Sequence, residues 1–234
     1  KESLIVGTIW HTNGDEIQFG AGISTDKDFA SAFNSNGDAT GGKVTIGGGE
    51  FLGDIYGGFS GSGVAGGDIA DNGNKVIING GKFEDTVVYG GYSVYGNAKH
   101  NEVVISNVDE NSTFYAIYGG FAGVNAEGNT VTISDGTFRN DYDDVYIYGG
   151  RSVSGDAEGN TVTISGGEFD TGSSAFVYIY GGYADSVAVE SNTVIISGGE
   201  FDVGSFSSVK IYGGYANGSG DAGGGAADKG NKVI

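Results

Sequence analysis

Six tyrosines, Tyr56, Tyr89, Tyr118, Tyr148, Tyr180 and Tyr212, each stand between an aliphatic residue and a pair of glycines. Successive copies are 33, 29, 30, 32 and 32 residues apart. A tyrosine offers a flat ring and a hydroxyl, a combination that suits sugars or the apolar groups of a protein partner. If the aliphatic neighbour points inward, strand alternation turns the tyrosine outward, and stacked copies would line up six exposed rings at about 4.8 Å spacing. Ligand binding by that ladder is the chemical reading. Ring-to-ring stacking that only stabilises the stack, or burial under loops, is the structural reading and the preferred one.

A second recurring residue is asparagine, at Asn74, Asn101, Asn129, Asn160, Asn192 and Asn231. Stacked amide side chains can bond to the copies above and below, so a structural ladder is expected in preference to polar ligand binding. Other chemistry is thinly represented. Asp141, Asp143 and Asp144 form the densest acidic group, but neighbouring repeats carry no matching group, which reads as a solvated loop. His11 and His100 lie far apart with no nucleophile motif near them. The outward pairs Thr130/Thr132 and Thr161/Thr163 invite an ice-ordering reading, yet the equivalent positions hold Lys43/Thr45, Lys75/Ile77, Glu102/Val104 and Thr193/Ile195, too irregular for it. Gly66-Gly67-Asp68 and Gly223-Gly224-Gly225 miss the spacing of calcium-binding glycine repeats, and no phosphate-cradling loop is present. Neither a metal nor a cofactor is expected.

Composition sets the frame for these residues. The 234-residue chain holds 48 Gly, 14 Tyr and 13 Phe but no Pro, Cys or Met. Glycine without proline excludes collagen, and the β-branched and aromatic content excludes a disordered linker. Glycine disfavours helix while Val, Ile, Tyr, Phe and Thr suit strands, so the class is all-β. A net charge of −19 repels phosphate backbones and argues against a nucleic-acid partner. The absence of cysteine excludes disulfides and thiolate metal sites. No apolar run is long enough to span a bilayer, so this segment is not expected to insert into a membrane.

A period of about 31 residues is the signature of a repeat architecture. The first half of each repeat reads Asn-x-Val-x-Ile-x-Gly-Gly-x-Phe, clearest at 160–169 and 192–201, with looser copies at 43–51, 74–83, 101–107 and 129–138. Val162 and Ile164 share one face of a strand, and the glycine pair supplies conformations that a Cβ resists. Phe51, Phe83, Phe138, Phe169 and Phe201 are expected to fill a corner. The second half is the Tyr-Gly-Gly strand, its glycines forming another corner, followed by an aromatic in five of six copies: Phe59, Tyr92, Phe121, Tyr183 and Tyr215. A lone Val (Val94, Val124, Val153, Val187) then suggests a short third side. From Ile46 to Ile55 is only 9 residues. That is too short to circle a core, given that a small β-helix turn takes roughly 18. Both halves therefore share one rung, giving six complete rungs and a started seventh in a rod about 25–30 Å long.

Residues 1–39 do not fit the repeat. They hold Trp10, an alternating run from Ile17 to Ile23, and Ser24 to Phe33, which has a cap-like start and apolar residues at helical spacing. The expectation is an N-terminal cap over residues 1–39, of strands with one short helix, and a solenoid over 40–234. The chain stops at Asn231-Lys232-Val233-Ile234, where a new repeat begins, and the first residue is not Met, as expected of a piece of a longer protein.

The alternation of NTVTISGGEF with VYIYGGYA, joined by GDAEGN or NAEGN, resembles the glycine-rich passenger repeats of bacterial autotransporter adhesins, which are type V secreted proteins. The resemblance covers roughly residues 40–234 and rests on repeat texture. It implies a right-handed parallel β-helix displayed extracellularly at the bacterial surface and anchored in the outer membrane through a region outside this chain. The implied role is non-enzymatic: attachment to a host or bacterial surface protein or glycan, with self-association along the rod. Two further readings stand beside it. One is a carbohydrate-binding β-helix using the tyrosine ladder, and the other a polysaccharide-degrading β-helix enzyme.

Overall fold

Each repeat closes into one turn of a β-solenoid, and corresponding strands of successive turns pair in parallel register. The computed structural model describes residues 4–6, 9–12, 14–69, 72–140, 143–172, 175–218, 220–223 and 230–234. Among these the fold is all-β, with about six turns roughly 31 residues apart. A representative turn has four strands: Thr161–Ile164, Glu168–Thr171, Val177–Ala184 and Val189–Glu190. First strands form an eight-stranded sheet, third strands together with Leu4–Val6 and Ile9–His11 a nine-stranded sheet, and fourth strands a five-stranded sheet; second strands form two three-stranded sheets. The two halves of the repeat thus belong to one rung, and the rung has four sides rather than three.

Alternation explains the core. In the first strand Val162 and Ile164 are fully buried while Thr161 and Thr163 are half-exposed, and the same pattern recurs in Lys75–Ile78, Glu102–Ile105 and Thr130–Ile133. A column of phenylalanines runs down the interior, with ring centroids 5.3 Å apart for Phe51–Phe83, 4.8 Å for Phe138–Phe169 and 4.7 Å for Phe169–Phe201. The repeat beginning at Asn101 has no Phe at the expected place and no second strand. Phe114, at the start of the third strand Phe114–Ala122, fills the slot, 4.9 Å from Phe83 and 5.5 Å from Phe138. A core that excludes voids accepts the ring from whichever segment can deliver it.

The short fourth side is lined by Ala65, Ala98, Ala126, Ala157 and Val189, all fully buried. The lone valines expected there are displaced: Val124, Val153 and Val187 are exposed in the preceding turn. The glycines of the Tyr-Gly-Gly motif also differ from expectation. They lie inside the long third strand rather than at a corner. A Cβ on Gly150 would come within 2.3 Å of Asn160, and one on Gly149 within 2.4 Å of the Gly181 carbonyl, so close approach is what requires glycine. The glycine pair of the first half behaves as expected, its second member having a positive φ (94° at Gly167, 99° at Gly199).

No helix forms over Ser24 to Phe33. That stretch is a strand pair, Ser24–Thr25 and Asp28–Asn34, the latter in parallel register with Ile55–Ser60. The apolar spacing suited either state. What decides is the unpaired edge of the adjoining strand, whose N–H and C=O groups a helix would leave unsatisfied. Residues 17–39 accordingly supply a rung of their own: Ile17–Phe19 pairs with the first strand Lys43–Ile46, and Ala39 bridges Ala65. The next rung, with the first strand Lys43–Ile46, lacks the asparagine, whose place is taken by Gly42. A Cβ on Gly42 would lie 2.1 Å from the Gly57 carbonyl and 2.8 Å from the Cβ of Ala32, the residue matching Gly58, so close approach requires glycine there. Leu4–Val6 and Ile9–His11 form an antiparallel pair beyond the rung of residues 17–39.

Candidate functional site

The six tyrosines stand in one column of the nine-stranded sheet. Neighbouring rings are 4.8, 5.0, 4.9, 5.0 and 5.1 Å apart from Tyr56 through Tyr212, with planes within 8° of parallel. Parallel rings at that separation must overlap face to face. Alternation does turn them out of the aliphatic core, yet Tyr56, Tyr118, Tyr148 and Tyr180 are buried, and Tyr89 and Tyr212 half-buried. The tyrosines thus stack on one another, the reading preferred from the sequence, and do not stand as six exposed rings. Ring faces are spent on one another, and a second column (Phe33, Phe59, Tyr92, Phe121, Tyr183, Tyr215) packs edge-on against it, as at Tyr89–Tyr92 (5.0 Å, 81°) and Tyr180–Tyr183 (5.3 Å, 80°). Burial raises the pKa of the ladder phenols Tyr56, Tyr89, Tyr118, Tyr148 and Tyr180, keeping them as O–H donors.

The second column is interrupted once, by Arg151. Its guanidinium carbon lies 5.4 Å from the ring centres of both Phe121 and Tyr183 and 5.9 Å from that of Tyr148, a cation–π arrangement. Nη2 donates to Asp185 at 3.4 Å, and buried Nε has no hydrogen-bond partner. A third column flanks the ladder on its other side: Val87, Ala116, Tyr146, Tyr178 and Lys210 are in register. It becomes aromatic only at Tyr146, which stacks on Tyr178 at 5.0 Å. Lys210 then covers the far face of Tyr178, with Nζ 4.7 Å from that ring and 4.6 Å from Phe176. Nζ also donates to the Tyr178 hydroxyl at 3.1 Å, a contact that raises the lysine pKa.

These three columns enclose an open groove of about 530 Å³ over the later rungs, with Tyr115, 49% exposed, at its rim. The Tyr146 hydroxyl is tied to Asp144 at 3.0 Å, and Asp144 also accepts from the Phe176 N–H at 2.8 Å. The hydroxyls of Tyr148, Tyr180 and Tyr212 line the floor and make no hydrogen bond to another described residue. The groove therefore presents ring edges, free hydroxyls and two cations. It lies at one end of the tyrosine column: Tyr118, Tyr148, Tyr180 and Tyr212 line it, and Tyr56 and Tyr89 do not.

The asparagines lie elsewhere. Nδ2 of Asn74, Asn101, Asn129, Asn160 and Asn192 donates to Oδ1 of the next asparagine at 2.9–3.0 Å, ending on Asn231. Each Nδ2 also donates to a backbone carbonyl of the previous turn, and each Oδ1 from Asn101 onward accepts the preceding asparagine's N–H. Every donor and acceptor of the column is engaged within the rod. Asp141 lies outside the described residues, whereas Asp144 is held by the hydroxyl of the groove residue Tyr146. His11 is buried against Phe33 (4.5 Å), and His100 Nδ1 contacts the Gly67 carbonyl at 2.8 Å, so neither reaches the groove. Among the described residues no group of three His, Asp or Glu could hold a metal ion.

Sequence reasoning missed Arg151 and Lys210. The signal for Arg151 was present, since it is the one residue following a Tyr-Gly-Gly that is not aromatic. Lys210 needed the register, because only pairing reveals that it continues the Tyr146–Tyr178 column. Comparison with protein-family models, with curated proteins and with solved structures finds no match for this chain.

Proposed function

We propose that this chain is a non-enzymatic segment of a bacterial cell-surface adhesin that attaches to saccharides through the aromatic groove. The observation that carries the reading is that groove: about 530 Å³, held on the longest sheet of a rod whose rungs are locked by side-chain ladders. Rigid positioning limits the ordering cost of binding, and tyrosine hydroxyls match hydroxyl-rich ligands. The surface location and attachment role draw their support from the repeat texture of residues 40–234. The test is binding to an array of immobilised glycans by the parent protein and by Tyr178→Ala, which removes a half-buried wall residue. Binding by the parent and its loss in the variant support the proposal. Failure of the parent to bind any glycan refutes it.

A further inference from the structure

We infer that the groove is built for a carboxylated oligosaccharide, whose acidic groups are held by Arg151 and Lys210 and whose hydroxyls and ring oxygens accept from Tyr148, Tyr180 and Tyr212. This rests on the saccharide-binding reading above and names its ligand class. Three observations carry it.

First, the groove floor offers donors. The three tyrosine hydroxyls have no hydrogen-bond partner among the described residues. Burial keeps Tyr148 and Tyr180 protonated, so they select ligands rich in acceptors.

Second, Arg151 stands where every other rung of its column carries a ring. A half-buried guanidinium costs desolvation that Phe or Tyr would not. Asp185 engages Nη2 at a long 3.4 Å and the Tyr118 hydroxyl also meets the guanidinium, while Nε is buried away from the groove. A guanidinium carries five N–H groups, so hydrogens on the two outer nitrogens remain for a planar carboxylate.

Third, Lys210 has no carboxylate within ion-pair distance among the described residues, although the chain carries 30 acidic side chains against 11 basic ones. Among the described residues Lys27, Lys43, Lys75 and Lys99 are paired with Glu or Asp; Lys82 and Lys232 are not, but neither of those lines the groove. Arg151 and Lys210 sit on strands two rung steps apart, with Val177–Ala184 between them. That places the two charges roughly 10 Å apart along the rod. A ligand that meets both spans more than one sugar ring, hence an oligosaccharide rather than a monosaccharide.

The experiment is calorimetric titration with trigalacturonic acid, a hyaluronan tetrasaccharide and sialyllactose, each beside its methyl ester, which keeps the rings and removes the charge. The proteins are the parent, Arg151→Tyr and Lys210→Gln. Arg151→Tyr restores the uninterrupted aromatic column, and its thermal melt should equal or exceed the parent's, which separates binding loss from misfolding. At least one acid is expected to bind, its ester roughly tenfold or more weakly, and each variant to lose a similar factor for the acid, the scale of one charge-assisted hydrogen bond. Affinity should also fall as salt rises. Equal binding of acid and ester, or unchanged affinity in both variants, overturns the assignment of acidic ligands and leaves the saccharide-binding groove standing. So does binding of neutral glycans alone. If nothing on the array or in this panel binds, both readings fall.

Discussion

Removing one amide from the asparagine column tests whether that column holds the rungs together. Asn160 Oδ1 accepts from the backbone N–H and the Nδ2 of Asn129, both at 2.9 Å; its own Nδ2 donates to the Ala126 carbonyl at 2.9 Å and to Asn192 Oδ1 at 3.0 Å. Asn160→Ala deletes four buried hydrogen bonds and strips the Asn129 N–H of its acceptor. At about 1 kcal/mol net for each neutral bond, with ~1–3 kcal/mol for an orphaned buried donor, the loss should be about 5–7 kcal/mol. A domain holds only ~5–15 kcal/mol in total. Urea unfolding followed by far-ultraviolet circular dichroism would show a midpoint lower by more than about 1 M, given typical slopes. Asn160→Asp sharpens the test. It keeps the shape but aims a carboxylate oxygen at two acceptors, the Ala126 carbonyl and Asn192 Oδ1. Its folded pKa should therefore rise above the unfolded value of about 3.9. With the folded state binding the proton more tightly, stability relative to the parent is best below pH ~4 and declines as pH rises through the folded pKa. A loss under about 1 kcal/mol in Asn160→Ala, or an Asn160→Asp variant no weaker at neutral pH than in acid, would refute this account.

Four further outcomes are expected. Gly150→Ala drives a Cβ to 2.3 Å from Asn160 and should cost roughly 2–3 kcal/mol or more. Gly159→Ala meets nothing nearer than the Gly128 nitrogen at 4.0 Å and bears only the ~1–2 kcal/mol strain of its positive φ, so the two denaturation midpoints should differ visibly. Phe114→Ala empties the slot that Phe114 alone fills in its rung and should lose ~3–5 kcal/mol, whereas Phe206→Ser, on an exposed ring, should stay within about 0.5 kcal/mol. The buried tyrosines, with pKa raised by burial, favour the protonated form in the folded state. Stability should hold below about pH 10, where unfolded tyrosine ionises, and fall above it. Near-ultraviolet phenolate absorbance should then rise together with the loss of strand signal; ladder tyrosines ionising in a still-folded protein would contradict this.

Much of the architecture is legible because it repeats. The 9 residues between Ile46 and Ile55 force two strands into one turn, and a recurring asparagine before each first strand has few uses other than stacking. What escaped reading was set by neighbours rather than by local sequence. Phe29 to Phe33 fits helix or strand equally, and the open edge of Ile55–Ser60 decides. Phe114 enters the core from a place where no other rung has a phenylalanine, since the interior selects volume rather than position. The tyrosines look exposed by alternation alone because alternation cannot see the column that begins three residues later and leans over them. The groove arises where a third column changes from Val87 and Ala116 to Tyr146 and Tyr178, a change visible only once rungs are aligned.

The amide column has a head and a tail. Every Nδ2 gives its hydrogen to the oxygen of the following turn, and every backbone N–H beside it does the same. A given turn therefore has its donors quenched only when its successor docks, whereas its predecessor supplies the carbonyl on which its own amide closes. Taking away the later neighbour leaves two hydrogens without a home; taking away the earlier one leaves an oxygen bare and a single hydrogen unplaced. Aligned amide dipoles also reinforce one another along such a chain. The two ends of the rod are thus chemically unlike, the amino-terminal end of the column presenting amide oxygen and the carboxyl-terminal end presenting amide hydrogens.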